Sequence, residues 1–144
     1  MKVNIYITKN GSYFIGEWKD GLKIGKGIIY YPNGDIKYDG EFSNGKFEGQ
    51  GKYIDANGDY YIGEWKNGQR NGKGIEYYAN GNIKYDGDFV NNKCEGNGKY
   101  IYGDGEYYIG EWKNGLKCGE GILYYNDNEI KRKGNWKDDD YAGN

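Results

Sequence analysis

The chain carries 20 Lys+Arg against 22 Asp+Glu over 144 residues, a formal net charge of −2, so no positive field exists to gather nucleic acid. It has no His and two Cys, Cys94 and Cys118, which excludes zinc sites of Cys/His spacing and His-based catalysis; no metal, cofactor or catalytic residue is expected. The mean hydropathy of −1.07 would suit a disordered chain, but 18 Tyr, 4 Trp and 4 Phe point instead to a thin fold in which rings supply most of the buried area.

The first residues, MKVNIYITKNG, are polar, with too short an apolar run for a signal peptide. No later run approaches a membrane span, so a reducing, cytoplasmic setting is expected. Lys2 to Ile7 reads as one strand of a half repeat over residues 2–11, with Lys2 and Asn4 where later copies have glycine. From there one pattern recurs: a glycine, an acid, an aromatic, a turn, and a Gly-x-Gly pair. The anchor glycines are Gly16, Gly40, Gly63, Gly87, Gly110 and Gly134, at alternating spacings of 24 and 23 residues. The units are 12–34, 35–58, 59–81, 82–105 and 106–128, followed by a truncated repeat over 129–144. A fixed period of this length means stacked supersecondary units, here in a single domain.

Each unit reads as a β-hairpin. Tyr61-Ile62-Gly63-Glu64-Trp65-Lys66 alternates with period two, Asn67-Gly68 is a turn dipeptide, and a second strand runs from Gly72 to Tyr78. Ala79-Asn80-Gly81 turns the chain into the next unit. No helical period appears, and glycine at this density would destabilise a helix. The expected fold is all-β: an elongated, single-layer antiparallel meander of about twelve strands, some 50 to 60 Å long. The six anchor glycines are read as structural, and Gly72 with Gly74 as a shared trough for a ring from an adjacent strand. The longer spacing falls before the even anchors, so a bulge or a longer turn is expected in alternate hairpins. Opposite the glycines, Ile15, Ile62 and Ile109 alternate with Asp39 and Asp86, and Ile28, Ile75 and Ile122 with Lys52 and Lys99.

Three groups of side chains are candidates for function. Glu17, Glu41, Glu64, Asp88 and Glu111 form a column. It is read as a solvated, charge-balanced face rather than a calcium site, because successive hairpins stand about 9 to 10 Å apart. The rings Trp18, Tyr38, Phe42, Tyr61, Trp65, Tyr85, Phe89, Tyr108, Trp112, Trp136 and Tyr141 are read first as packing between repeats. A single layer cannot hide every ring, so they are also the candidate partner surface. Lys131, Arg132 and Lys133 are the basic run and the candidate contact with anionic lipid. The last repeat is cut before its second strand, which would leave Trp136 and Tyr141 near an uncovered edge and favour self-association there. Cys94 and Cys118 read as ordinary thiols in consecutive repeats.

The run Tyr-Ile-Gly-Glu-Trp-Lys-Asn-Gly at 61–68 and 108–115, followed by Gly-x-Gly and an aromatic, resembles the MORN repeat (membrane occupation and recognition nexus). The even repeats, with Gly-x-Ile-Lys-Tyr-Asp-Gly at 34–40 and 81–87, are similar to the variant of bacterial MORN proteins, some of which are labelled antitoxin-like. Departures are Asn92 at a turn glycine, Asn128 at an inter-repeat glycine and Arg132 at a ring position. The resemblance implies an extended antiparallel sheet used as a scaffold, for self-association or at membranes. The function expected is a non-catalytic protein–protein interaction module whose partner is another protein or a second copy in a homodimer. The alternatives are a peripheral phospholipid-binding module on an anionic membrane surface, with membrane or cytoskeleton association, and an antitoxin-like bacterial protein.

Overall fold

Positive φ at both central residues closes each hairpin. Asn67 and Gly68 stand at 51° and 82°, Asn114 and Gly115 at 52° and 81°, a turn whose twist matches that of the flanking strands. Asn91 and Asn92, at 49° and 70°, show how the glycine can be replaced: Asn tolerates this region, and its side chain is put to use. The Asn92 side-chain oxygen accepts the Arg70 N–H at 2.8 Å, while Asn92 N–H donates to the Arg70 carbonyl at 3.0 Å. Every such turn from Gly45 on hydrogen-bonds in this way to the hairpin before it, so the turns themselves form a ladder.

The computed structural model of the chain describes residues 3–144; Lys2 lies outside the described residues. Among the described residues thirteen strands follow one another in a single sheet, each antiparallel to the next. They are β1 (Val3–Ile7), β2 (Tyr13–Lys19), β3 (Leu22–Tyr30), β4 (Ile36–Ser43), β5 (Lys46–Ile54), β6 (Tyr60–Lys66), β7 (Gln69–Tyr77), β8 (Ile83–Val90), β9 (Lys93–Ile101), β10 (Tyr107–Lys113), β11 (Leu116–Tyr124), β12 (Ile130–Lys137) and β13 (Asp140–Gly143). No helix forms among the described residues. The open, all-β meander is therefore the one expected, with one strand more. β13 pairs with β12 through Trp136↔Tyr141, which corrects the expectation that the last repeat stops before its second strand. The accessible surface is 8872 Å², above the roughly 7,500 Å² of a compact monomer of this size, as a single layer requires.

Two kinds of bulge set the register. The alternating spacing resolves as a bulge, because the inter-repeat turns are alike: Tyr31 N–H bonds the Asp35 carbonyl, and Asp55 N–H the Asp59 carbonyl, both at 2.8 Å. The extra residue is absorbed where β3 meets β4, β7 meets β8 and β11 meets β12, at Lys37, Lys84 and Lys131. β5–β6 and β9–β10 pair without a shift. A second bulge recurs inside every hairpin. Between β6 and β7 the register runs Gly63↔Gly74 and then Trp65↔Arg70, which leaves Gly72 in the bulge at φ 101°. Gly72 and Gly74 are thus not one trough. Gly72 supplies a conformation that a side chain would strain, whereas Gly74 supplies space.

Candidate functional site

One face of the sheet, here called the ring face, carries Tyr61, Gly63 and Trp65 of β6 and their counterparts. The Tyr61 ring lies flat over its own Gly63 and the cross-strand Gly74: a Cβ on Gly63 would stand 2.5 Å from both the Tyr61 hydroxyl oxygen and Gly74 Cα. Gly40 and Gly51 hold Tyr38 in this way, Gly87 and Gly98 hold Tyr85, and Gly110 and Gly121 hold Tyr108; Phe14 lies over Gly16 and Gly27. Gly134 differs, because Arg132 stands in the ring position and the Gly143 carbonyl faces it instead.

Each flat ring meets two others edge-on. Tyr61 is 5.2 Å from Trp65 of its own strand and 5.2 Å from Phe89 of the next unit, at 86° and 87°. Repeated along the sheet, these contacts join thirteen rings, from Tyr6 to Tyr141, in an unbroken file. Edge-to-face pairs at this distance are favourable beyond the area they bury. Their polar tips are satisfied. Tyr38, Tyr61, Tyr85 and Tyr108 each donate to the carbonyl three residues on, at 2.9 to 3.1 Å. Trp65, Trp112 and Trp136 donate to the carbonyls of Gly51, Gly98 and Gly121 at 3.0 to 3.2 Å.

A single layer buries these rings because each has a lid. The second residue of the following strand crosses the flat ring: Lys23 over Phe14, Phe47 over Tyr38, Arg70 over Tyr61 and Lys117 over Tyr108. Phe47 stacks at 3.8 Å and 7°. Cys94 takes the same slot beside Tyr85. Of the eleven rings named as a candidate partner surface, Tyr38, Phe42, Tyr61, Trp65, Tyr85, Phe89, Tyr108, Trp112 and Trp136 are no more than 7 % exposed. They are the core, which corrects their assignment as a surface that a partner touches. Trp136 is not left at an open edge either, since Tyr141 packs on it at 5.4 Å. Trp18 is half-buried, and Tyr141 is 37 % exposed. What solvent meets on the ring face is the row of lids.

Lys23, Arg70 and Lys117 recur every 47 residues, a cationic signal that the sequence reading passed over. Arg70 is the most elaborated. Its guanidinium stands 3.1 Å from the Glu76 carboxylate, donates to the Asn92 carbonyl at 2.7 Å, and lies 5.6 and 5.1 Å from the Tyr61 and Phe89 centroids. A depression of about 480 Å³ opens beside it, lined among others by Phe47, Tyr53, Glu76 and Lys84.

The acidic column does more than face solvent. Glu41, Glu64 and Glu111 fold over the bulge glycine and accept the N–H of Gln50, Lys73 and Glu120 at 2.5 to 2.6 Å. Asp88, one carbon shorter, pairs instead with the Lys73 ammonium at 3.1 Å. Among the described residues no group of acids and thiols is placed to hold a metal ion.

The basic run is divided. Lys131 is paired with Glu106 at 2.8 Å, which raises its pKa. Arg132 lies 5.5 Å from the Tyr141 ring. Lys133 pairs with Ile122 on the opposite face of the sheet. The two thiols are free, on β9 and β11 with β10 between them. Burial, with the Glu76 carboxylate nearby, pushes Cys94 up to about 12.

Stacked hairpins with bulged glycines and flat rings, three of them carrying Gly-Glu-Trp, define a β-repeat array. The family model described as MORN repeat matches residues 14–36, 38–60, 61–83, 85–107 and 108–130. The chain therefore belongs to the MORN-repeat family, a non-enzymatic repeat module generally associated with interaction with proteins or membranes. No curated protein matches the chain. No helix of the described residues is long and apolar enough to cross a membrane.

Proposed function

We propose that this chain is a non-catalytic scaffold whose ring face docks an extended segment of a protein partner. The observation that carries this reading is the depression at Arg70, the middle of a row of lids that runs Lys23, Phe47, Arg70, Cys94, Lys117, with a cation at every second place. Lys23, Arg70 and Lys117 lie four strands apart, about 19 Å, or roughly six residues of extended chain. The segment that fits is acidic and apolar in turn: a carboxylate to exchange for Glu76 at Arg70, and an apolar side chain against Phe47 or Tyr53. Half-buried guanidinium and aromatic groups of this kind are the usual anchors of protein interfaces.

The test is a peptide array of extended decamers that vary in Asp/Glu spacing, probed with the full chain and with Arg70→Ser. Binding that favours two acids about six residues apart, and that falls at least about tenfold in the variant, supports the reading. The control is vesicle sedimentation with phosphatidylserine liposomes. Co-sedimentation that is lost on Lys133→Glu, with no peptide bound, would replace this reading by the lipid-surface one.

A further inference from the structure

The opposite face of the sheet, away from the rings, carries a row that the register makes continuous. From β3 to β10 it reads Ile28, Asp39, Lys52, Ile62, Ile75, Asp86, Lys99, Ile109, each residue the direct cross-strand partner of the next. Ile62 and Ile109 are 43 % and 44 % exposed. The neighbouring row is apolar, with Ile54, Tyr60, Tyr77 and Ile83 in line and Tyr60 stacked on Tyr77 at 4.6 Å. The pattern Ile-Ile-Asp-Lys becomes Lys-Asp-Ile-Ile when reversed, so acid falls on base when the row is laid against itself.

We infer that this face is the interface of a back-to-back homodimer, with the two-fold axis running along the strands between β6 and β7. That axis sets β6 against β7, β5 against β8 and β4 against β9 of the second copy, as in aligned sheet packing about 10 Å apart. Ile62 then meets Ile75, Lys52 meets Asp86 and Asp39 meets Lys99, each twice by symmetry. In the next row Tyr60 meets Tyr77 and Ile54 meets Ile83. Two observations favour a second copy as the occupant. The charges match it position by position, whereas a foreign surface would have to repeat this chain's four-strand period. The acids are also left unclaimed within the chain: Asp39 and Asp86 are exposed and make no salt bridge among the described residues. Lys52 and Lys99, their direct neighbours, turn instead over Tyr60 and Tyr107, at 4.5 Å from each centroid. The reading goes beyond the ring-face proposal, because such a dimer leaves both ring faces outward and would make the scaffold bivalent.

The experiment is sedimentation equilibrium with light scattering on the full chain up to high micromolar concentration, for wild type, Asp86→Lys, Lys52→Asp and the double variant. Within one copy β5 and β8 are three strands, about 14 Å, apart, so residues 52 and 86 meet only across the axis. A wild-type dimer, weakened at least about tenfold by each single reversal and restored to within about twofold in the double variant, is the expected result. Asp39→Lys with Lys99→Asp forms a second cycle, should a member of the first fail to fold by circular dichroism. A monomer throughout overturns the inference. So does a dimer indifferent to Asp86→Lys, which would place contact at the β1 or β13 edge, and so does a weakening that the second reversal fails to rescue.

Discussion

Tyr38 and Gly51 share one volume. The Tyr38 ring runs flat over the Gly51 Cα, and a Cβ there would lie inside the van der Waals surface of the ring carbons and hydroxyl. Phe47 closes the ring from the other side at 3.8 Å, so Tyr38 has nowhere to lift. Gly51→Ala is therefore expected to cost about 2 to 3 kcal/mol in urea unfolding. Gly103→Ala is the control, because a Cβ at Gly103 meets nothing within 4 Å. It should be neutral within about 0.5 kcal/mol. A Gly51→Ala variant as neutral as Gly103→Ala would mean that the Tyr38 ring can shift aside and that the space left at Gly51 is not needed.

The odd and even units perform a substitution experiment of their own. Trp65 and Trp112 donate to glycine carbonyls at 3.0 and 3.1 Å, whereas Phe42 and Phe89 fill the same place with no donor. The file thus accommodates Phe in shape. Trp65→Phe should lose one hydrogen bond and part of a ring, about 1 to 2 kcal/mol. Circular dichroism should be unchanged, and Trp112→Phe should cost the same. A loss several times larger would show that the indole, not the edge-on ring, sets the packing at this position.

Burial pushes Tyr61 and Tyr108 up from 10 to about 12, and Tyr38 and Tyr85 in the same direction. A raised phenol pKa means that the folded state holds the proton more tightly than the unfolded one. The stability from these groups is complete below pH 10 and is lost as pH climbs from 10 towards 12. Alkaline unfolding in that window is expected, followed by tyrosinate absorbance near 295 nm. Tyr61→Phe should lessen the pH dependence while costing stability at pH 7 through the lost bond to the Glu64 carbonyl. The Cys94 thiol, at about 12, should resist alkylation at pH 8 until the chain is unfolded.

Strands, order and the alternating extra residue were legible because each follows from counting. Period two gives the strands, and a spacing of 24 against 23 gives either a bulge or a longer turn, between which the like inter-repeat turns decide. The jobs of the glycines were less so. Gly72 and Gly74 are one residue type used for two ends, a positive φ and an empty volume, and only the register separates them. The lids escaped for the converse reason. Lys23, Phe47, Arg70, Cys94 and Lys117 share one geometric slot, but only the three odd members share a charge, so the slot is marked by a 47-residue recurrence and by no motif common to all five. Without the lids the rings read as half-exposed; with them the same rings are core, and the exposed chemistry passes to the lids and to the ladder on the other face. β13 was missed because Asp138-Asp139 does not look like a turn, yet both take positive φ, at 47° and 73°, and Asp139 accepts the Lys117 N–H at 2.7 Å.

Deleting Lys84 tests whether the bulge before each even anchor is needed or only tolerated. Lys84 is the residue that two neighbours straddle, with Glu76 opposite Tyr85 and Tyr77 opposite Ile83. Its removal gives this unit the spacing of the odd ones, where Tyr53↔Tyr61 and Ile54↔Tyr60 pair without a shift. Tyr85 and Asp86 then keep their partners, and only the weak contact of the Lys84 ammonium with the Tyr78 ring, 5.6 Å to its centroid, is lost. The expected cost is below about 1.5 kcal/mol, with a single cooperative transition. Deleting Asp86 instead turns Tyr85 to the wrong face, and with it the ring that lies over Gly87 and Gly98. That variant should lose at least about 3 kcal/mol, because a one-residue slip exchanges the faces of every earlier side chain in β8. If the Lys84 deletion proved as damaging as the Asp86 deletion, the bulge would be a structural requirement of the even hairpins and the 47-residue pair their smallest unit.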